Sequence, residues 1–219
     1  MFRSLLILHC ALAASALGQG TGIVTGVVPI TPAPTGRVAV EKYTGSISGK
    51  VAKRPPPAAG VWLEGSGTHA EKNPAKLVME QRGYQFGSSL LVIAPGTTVE
   101  FPNQDPDYHN IFSVKGTKRF DIGRYKKDET PVPSVTFDKP GFVVLECEIH
   151  DHMNAMVLIV DSRFRTQTDA AGKFTLTGVP PGRYTLNARL DHKRHWTTEV
   201  TVVAGKTTAA ALGPKSTLP

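Results

Sequence analysis

Cysteine is almost missing from this chain: two occur in 219 residues, Cys10 and Cys147. Cys10 sits in an N-terminal stretch that reads as removable, so one thiol remains and no intramolecular disulfide can form. A lone thiol in an oxidising compartment is buried and inert, joined to another molecule, or held by a metal. Long apolar runs are missing too. The longest near the N-terminus, Leu5 to Leu17, is too short to span a bilayer, which takes roughly 20 residues. Helical spacing of apolar residues extends nowhere beyond a turn or two. No serine or cysteine stands in a nucleophile motif.

What is present begins with an export pattern. Arg3, the apolar run and the small residues Ala16 and Gly18 make a secretory signal peptide over residues 1–18, cut after Gly18. His9 stands where a lipoprotein would carry a small residue before Cys10. The expected location is therefore periplasmic or secreted, without a transmembrane segment. Charge divides the mature chain. Residues 19–161 carry 15 Lys+Arg and 15 Asp+Glu, whereas residues 162–219 carry 9 and 3, a difference of +6 confined to the last quarter. Basic charge on an exported chain without a recognition motif does not make a nucleic-acid binder.

Period-two apolar alternation recurs at residues 47–51, 61–63, 90–93, 99–101, 142–145 and 156–160, with Gly and Pro punctuating between them. This predicts an all-β fold of short antiparallel strands. Residues 19–43, with Pro29, Pro32 and Pro34 among small residues, read as a flexible leader. Residues 44–161 read as a first β-sandwich and 162–219 as a second, smaller one. In the latter, Phe174 and Leu176 on one strand and Tyr184 and Leu186 on the next are expected to pair across the V-P-P-G turn at 179–182.

The chemistry concentrates in residues 147–153, C-E-I-H-D-H-M. A thiolate and imidazoles are ligands that copper accepts readily, and Cys with two His and a weak axial Met is the donor set of a blue electron-transfer site. The loop supplies Cys, His and Met; the second imidazole has to come from elsewhere, and His109 in F-P-N-Q-D-P-D-Y-H-N-I-F-S (101–113) is the candidate. Zinc is the rival, with Cys147, two His and a carboxylate from Glu148 or Asp151 at about 2.0–2.3 Å.

Residues from about 76 to 160 resemble the cupredoxins, the small blue copper proteins, and in particular plastocyanin-like, amicyanin-like and methylamine-utilisation-type exported proteins. The resemblance rests on V-I-A-P-G-T-T-V-E-F-P-N-Q-D (92–105), on His109-Asn110, on K-P-G-F-V-V-L-E-C-E-I-H-D-H-M (139–153) and on V-L-I-V (157–160). It implies a Greek-key sandwich and one type 1 copper ion held by His109, Cys147, a loop His and a loop Met. It also implies that Asn110 ties the two ligand segments together by hydrogen bonds.

Two loop registers fit. Cys147, His150 and Met153 give C-x2-H-x2-M, and Cys147, His152 and Met156 give C-x4-H-x3-M. The small Ala155 and the apolar strand after Met153 favour the short register, with His152 facing solvent and Met156 in a core strand. Glu146, Glu148 and Asp151 depart from the family by placing acids beside the expected electron-exit edge.

Residues 169–186 resemble a carboxypeptidase regulatory-like or transthyretin-like β-module, which implies a spacing, folding or adhesive unit. Residues 45–51 and 61–63 resemble the first two strands of the same module, which leaves insertion of the cupredoxin-like part as an alternative to two sequential domains. The H-K-R-H-W cluster at 192–196 is either a solvated hairpin with Trp196 inward or a contact for an acidic glycan or other acidic surface. His69, His192 and His195 do not assemble a further copper site, so the expectation is a non-enzymatic one-electron carrier with a redox protein partner. A copper-delivery protein and an adhesive envelope module are the alternatives.

Overall fold

The computed structural model describes residues 20–30, 48–70 and 76–213. The signal peptide and most of the leader lie outside the described residues. Among the described residues there is no helix, and the all-β expectation holds. The strands are β1 (Gly22–Val27), β2 (Gly60–Glu64), β3 (Lys76–Val78), β4 (Leu90–Ile93), β5 (Thr97–Glu100), β6 (His109–Ser113), β7 (Phe120–Tyr125) and β8 (Ser134–Phe137). There follow β9 (Gly141–Glu146), β10 (Asn154–Ile159), β11 (Arg165–Gln167), β12 (Lys173–Val179), β13 (Gly182–Arg189), β14 (His195–Val202) and β15 (Thr207–Ala211).

The central residues make one sandwich, with the sheet β4-β10-β9-β6-β7 over the sheet β3-β5-β8. Alternation drives the packing: Val143, Leu145, Val157 and Ile159 point inward from β9 and β10 onto Val99, Phe101 and Phe137. Each such buried side chain contributes about 1.5–3 kcal/mol of apolar transfer free energy. The second sandwich stacks β12-β1-β15 on β11-β2-β13-β14, around Val24, Val61, Leu63, Phe174, Leu176, Tyr184 and Leu186.

Two strands are buried on both faces and lock the sandwiches together. From β10, Ala155, Val157 and Ile159 enter the first core, while Met156 and Leu158 join Trp62, Leu90 and Val160 in a third cluster between the sandwiches. From β2, Val61 and Leu63 enter the second core while Trp62 faces that junction. Gly60 is required at the closest approach, because a Cβ there would lie 2.3 Å from Leu158 Cδ2 and 2.9 Å from Val92 Cγ2.

The strand pairing departs from the sequence reading in three places. Residues 22–27, read as leader, form β1, a central strand between β12 and β15; Gly22 and Gly26 hide its alternation, yet Val24 is fully buried. Strand β2, assigned to the first domain, pairs with β11 and β13. The cupredoxin-like residues are therefore inserted within the second sandwich, between β2 and β11. The described part of residues 45–51 contains no strand, so the first strand of that sandwich is β1. Strands β12 and β13 do not pair as a hairpin. They lie in opposite sheets, and Phe174 meets Tyr184 and Leu186 through the core rather than across a ladder.

Candidate metal centre

His109 opens β6, and Cys147 follows β9, its neighbour in the sheet. The chain then makes a tight turn, with Met153 N–H donating to His150 O at 2.8 Å and Cys147 N–H to Met153 O at 3.3 Å. This turn brings His150 back over the thiol. The Nδ1 atoms of His109 and His150 lie 3.1 Å apart, and Cys147 Sγ is 4.0 Å from the first and 3.7 Å from the second. Imidazole and thiolate bonds of about 2.0 and 2.3 Å, opened to near 120°, require edges of about 3.5 and 3.7 Å. The donor triangle has the size that one first-row metal ion needs. Met153 is fully buried in the same core cluster as Cys147.

The surroundings orient these donors. His109 Nε2 is 2.8 Å from Asp105 Oδ2, so the ring hands its proton to the carboxylate side and turns the Nδ1 lone pair toward Cys147. Asp105 is held in turn by the N–H groups of Gly83 and Tyr84 at 2.6 and 2.8 Å. Both residues adopt positive φ, 61° and 55°, which aims two successive amides at one anion. For Tyr84 that conformation is strained, and its persistence shows how firmly the surroundings fix it. Asn110 joins the two ligand segments: its Oδ1 accepts from Glu148 N–H at 2.7 Å and its Nδ2 donates to Asp121 at 3.1 Å.

Burial alone would push the Cys147 thiol up. The imidazoles of His109 and His150 and the backbone N–H groups of Asn110 and Ile149 outweigh it and bring the thiol down to about 6. Burial likewise acts to lower the His109 value, but the hydrogen bond to Asp105 and the sulfur of Cys147 hold it above its ordinary value. The centre is thus prepared for a thiolate.

Tyr84 caps the centre. Its ring meets His109 and His150 edge-on at 5.7 and 5.2 Å, and its hydroxyl donates to Asp107 at 2.6 Å. A strap of residues 48–57 lies over this cap. Ser48 bonds both oxygens of Asp107 at 2.8 and 2.7 Å, Ala52 N–H donates to Gly83 O, and Arg54 Nη2 donates to His152 O at 2.7 Å. His150 is left only 6% exposed.

His152 departs from expectation. It is buried rather than solvent-facing, with Nε2 2.9 Å from Tyr84 O, so its ring supports the cap instead of joining the donor triangle. Met156 sits in the junction between the sandwiches. Neither acid of the loop faces the thiol: Glu148 pairs with Arg124, and Asp151 is exposed. Among the described residues the one His, Cys, Asp or Glu group of metal-binding compactness is His109, Cys147 and His150.

A profile of the carboxypeptidase regulatory-like domain matches residues 152–212, taking in β10 as well as β11–β15. No curated protein sequence matches the chain. Among solved structures it is similar to a copper-containing nitrite reductase from Thermus scotoductus, at 26% identity and a TM-score of 0.36, over 45% of this chain and 25% of that one. It is also similar to amicyanin from Paracoccus versutus, at 19% identity and a TM-score of 0.36, over 46% of this chain and 97% of that one. A purple cupredoxin from Nitrosopumilus maritimus matches at 22% identity and a TM-score of 0.34, over 39% and 99%. This chain spans a quarter of the nitrite reductase. What speaks for a metal is the donor triangle of this chain.

Away from the centre, His69 is largely exposed but pairs with Asp161 at 2.8 Å. The 192–196 cluster runs from the turn after β13 into the start of β14, which His195 and Trp196 open. Asp191 accepts from the Lys193 and Arg194 amides and from the Arg194 guanidinium, and Trp196 is buried in the second core. No helix among the described residues is long and apolar enough to cross a membrane. Sequence reasoning missed Asp105 and Tyr84. A carboxylate four residues before a candidate ligand His is a signal that could have found Asp105. Nothing in the sequence near residue 84 points across 25 residues to His109.

Proposed function

We propose that this chain is an exported one-electron carrier, with a single copper ion held by His109, Cys147, His150 and axial Met153. The observation that carries the reading is the buried triangle of one sulfur and two Nδ1 atoms beside a buried thioether. Copper suits it better than zinc. A closed zinc site needs a fourth nitrogen, sulfur or oxygen donor, whereas Asp105 is bonded to His109 and Glu148 to Arg124. A thiolate, two imidazoles and a weak thioether are the donors of a blue copper site.

Each residue has a task in electron exchange. Asp105 and the amides of Gly83 and Tyr84 hold His109 in one tautomer and one orientation. The amides of Asn110 and Ile149 stabilise the Cys147 thiolate, and Asn110 fixes the distance between the two ligand segments. Tyr84 and the strap keep water from the imidazoles. When bound, copper supplies a one-electron couple between its cuprous and cupric states. Donors fixed by the start of β6 and by the hydrogen-bonded turn between β9 and β10, in a closed core, keep their positions between the two states, which suits outer-sphere transfer better than binding of a substrate.

The burial of His152 and Met156 removes the exposed soft patch that a copper-delivery reading requires. The export pattern of residues 1–18 supports a periplasmic or secreted location. The test is the visible spectrum and voltammogram of the copper-loaded chain. An intense thiolate-to-copper band and a reversible one-electron wave are expected; a colourless protein without a wave would refute the reading.

A further inference from the structure

The donors of the centre are closed off. His109, Cys147, His150 and Met153 are exposed by only 0, 3, 6 and 0%, so an ion reaches them only if something moves. Most of what surrounds them is β-sheet and the bonded Asp105 support. The strap of residues 48–57, which leads into β2 of the second sandwich, is held in another way.

Its two ends differ. Pro55, Pro56 and Pro57 fix φ and keep Arg54, Pro55 and Pro56 extended, which makes a stiff base. Pro56 O accepts from Ser89 Oγ at 2.7 Å, and Ala59 N–H donates to the buried Thr168 hydroxyl at 3.0 Å. Residues 48–54 are exposed apart from Val51, which is half-buried against the first core. They are kept down by polar contacts at the surface: Ser48 to both oxygens of Asp107, Ala52 N–H to Gly83 O at 2.7 Å and Arg54 to His152 O. Few buried apolar contacts and hydrogen bonds open to solvent mark a segment that opens locally at low cost.

Under this arm lies Tyr84, 1% exposed, with its ring against both imidazoles. Its backbone N–H is pinned to Asp105, whereas its hydroxyl bonds to Asp107, the carboxylate that also holds Ser48. Gly49 blocks the ring from above: a Cβ there would lie 3.1 Å from Tyr84 Cε2 and 3.3 Å from its hydroxyl oxygen. The ring turns aside only after residues 48–54 lift, and it does so without disturbing the support of His109.

We propose that residues 48–54 latch the Tyr84 ring as the gate through which the metal enters and leaves the centre. The proposal rests on the copper-site reading and adds how the site is filled. The latch contacts fall on Asp107, Gly83 and His152 O, none of them a donor to the ion, so the gate sets the rates in both directions and leaves the affinity alone.

The experiment mixes the full metal-free chain with cupric sulfate, follows the thiolate band by stopped flow, and measures release into excess chelator. Ser48→Ala with Arg54→Ala is expected to raise uptake and release together by about tenfold or more, about 1.4 kcal/mol of opening per tenfold. Unchanged uptake, or faster release alone, would overturn the proposal and make the strap a wall of the site. Amide exchange separates a gate from general loosening: Ala52 should lose protection in step with uptake, while Val143 and Val157 keep theirs. Equal loss at all three amides would also overturn it. Tyr84→Gly removes the ring and suits the positive φ at that position; in that background the latch substitutions should add nothing to the uptake rate. A chain that takes up no copper defeats the copper reading on its own. The gate is then read by alkylation of Cys147 with iodoacetamide, in which the sulfur bonds to carbon and iodide leaves. Acceleration of about tenfold in the double variant keeps the gate, and equal rates remove it.

Discussion

Asp105 Oδ2 lies 2.8 Å from His109 Nε2, and this one contact decides which nitrogen of His109 faces Cys147. An outer carboxylate of this kind typically accounts for 10- to 100-fold of metal affinity. Asp105→Ala is therefore expected to weaken copper binding by about that factor, measured by chelator competition. Asp105→Asn, which keeps an acceptor oxygen for the His109 ring, should recover most of it. An unchanged affinity in the alanine variant would deny Asp105 any positioning role.

The two loop histidines are expected to separate cleanly. His150→Ala removes one corner of the triangle and should abolish the thiolate band of the copper-loaded protein. His152→Ala removes the bond to Tyr84 O beneath the cap and leaves the triangle in place. It should keep the band and lower stability by about 1–3 kcal/mol, the usual cost of stranding a buried acceptor. Loss of the band in His152→Ala would move the ligand set to the longer register.

The thiol gives a pH signature in the metal-free chain. Burial opposes ionisation, but the two imidazoles and two amides prevail, and Cys147 is expected to titrate at about 6, followed as thiolate absorbance in the ultraviolet. The sign for stability follows from linkage. The folded value lies below the ordinary thiol value of 9.0, so this contribution is complete above pH 9 and is lost as pH falls toward 6. Denaturant unfolding of the metal-free chain at pH 6, 7.5 and 9 should show this rise, and Cys147→Ser should flatten it. Equal pH slopes in the two proteins would contradict the depressed value.

Most strands of the central residues and the cluster of His109, Cys147 and His150 were legible in the sequence, whereas strand partnership was not. The apolar run at 156–160 marks a strand, and its burial on both faces accounts for the continuous pattern. Nothing in the run says that Met156 and Leu158 meet Trp62 from 94 and 96 residues earlier. Strand β1 escaped because Gly22 and Gly26 interrupt its alternation and the prolines after it suggest an open chain. The loop spacing of Cys147, His150 and Met153 is local and so could be read directly. The acid rim was misjudged for the opposite reason: Glu146 and Glu148 meet Lys115 and Arg124, which come from a hairpin more than 20 residues away in sequence.

The insertion of one sandwich into the other can be tested by excision. Leu63 N–H donates to Phe164 O at 3.0 Å and Arg163 N–H to Thr68 O at 2.7 Å, so the chain leaves β2 and re-enters β11 at neighbouring points. Replacing residues 69–162 by a short glycine linker keeps every strand of the second sandwich, together with Val61, Leu63, Phe174 and Leu186 of its core. That product is expected to fold, at some loss from exposing Trp62. The converse piece, residues 44–161, takes β2 away from β11 and β13 and exposes Val61 and Leu63, each worth about 1.5–3 kcal/mol of burial. It should unfold at a markedly lower temperature than the full chain, or aggregate through the unpaired strand. Thermal melts followed by circular dichroism, with size-exclusion chromatography of both pieces, decide the matter. A stable, monomeric 44–161 fragment would mean that β2 contributes little to the second sandwich and that the two halves fold in sequence along the chain.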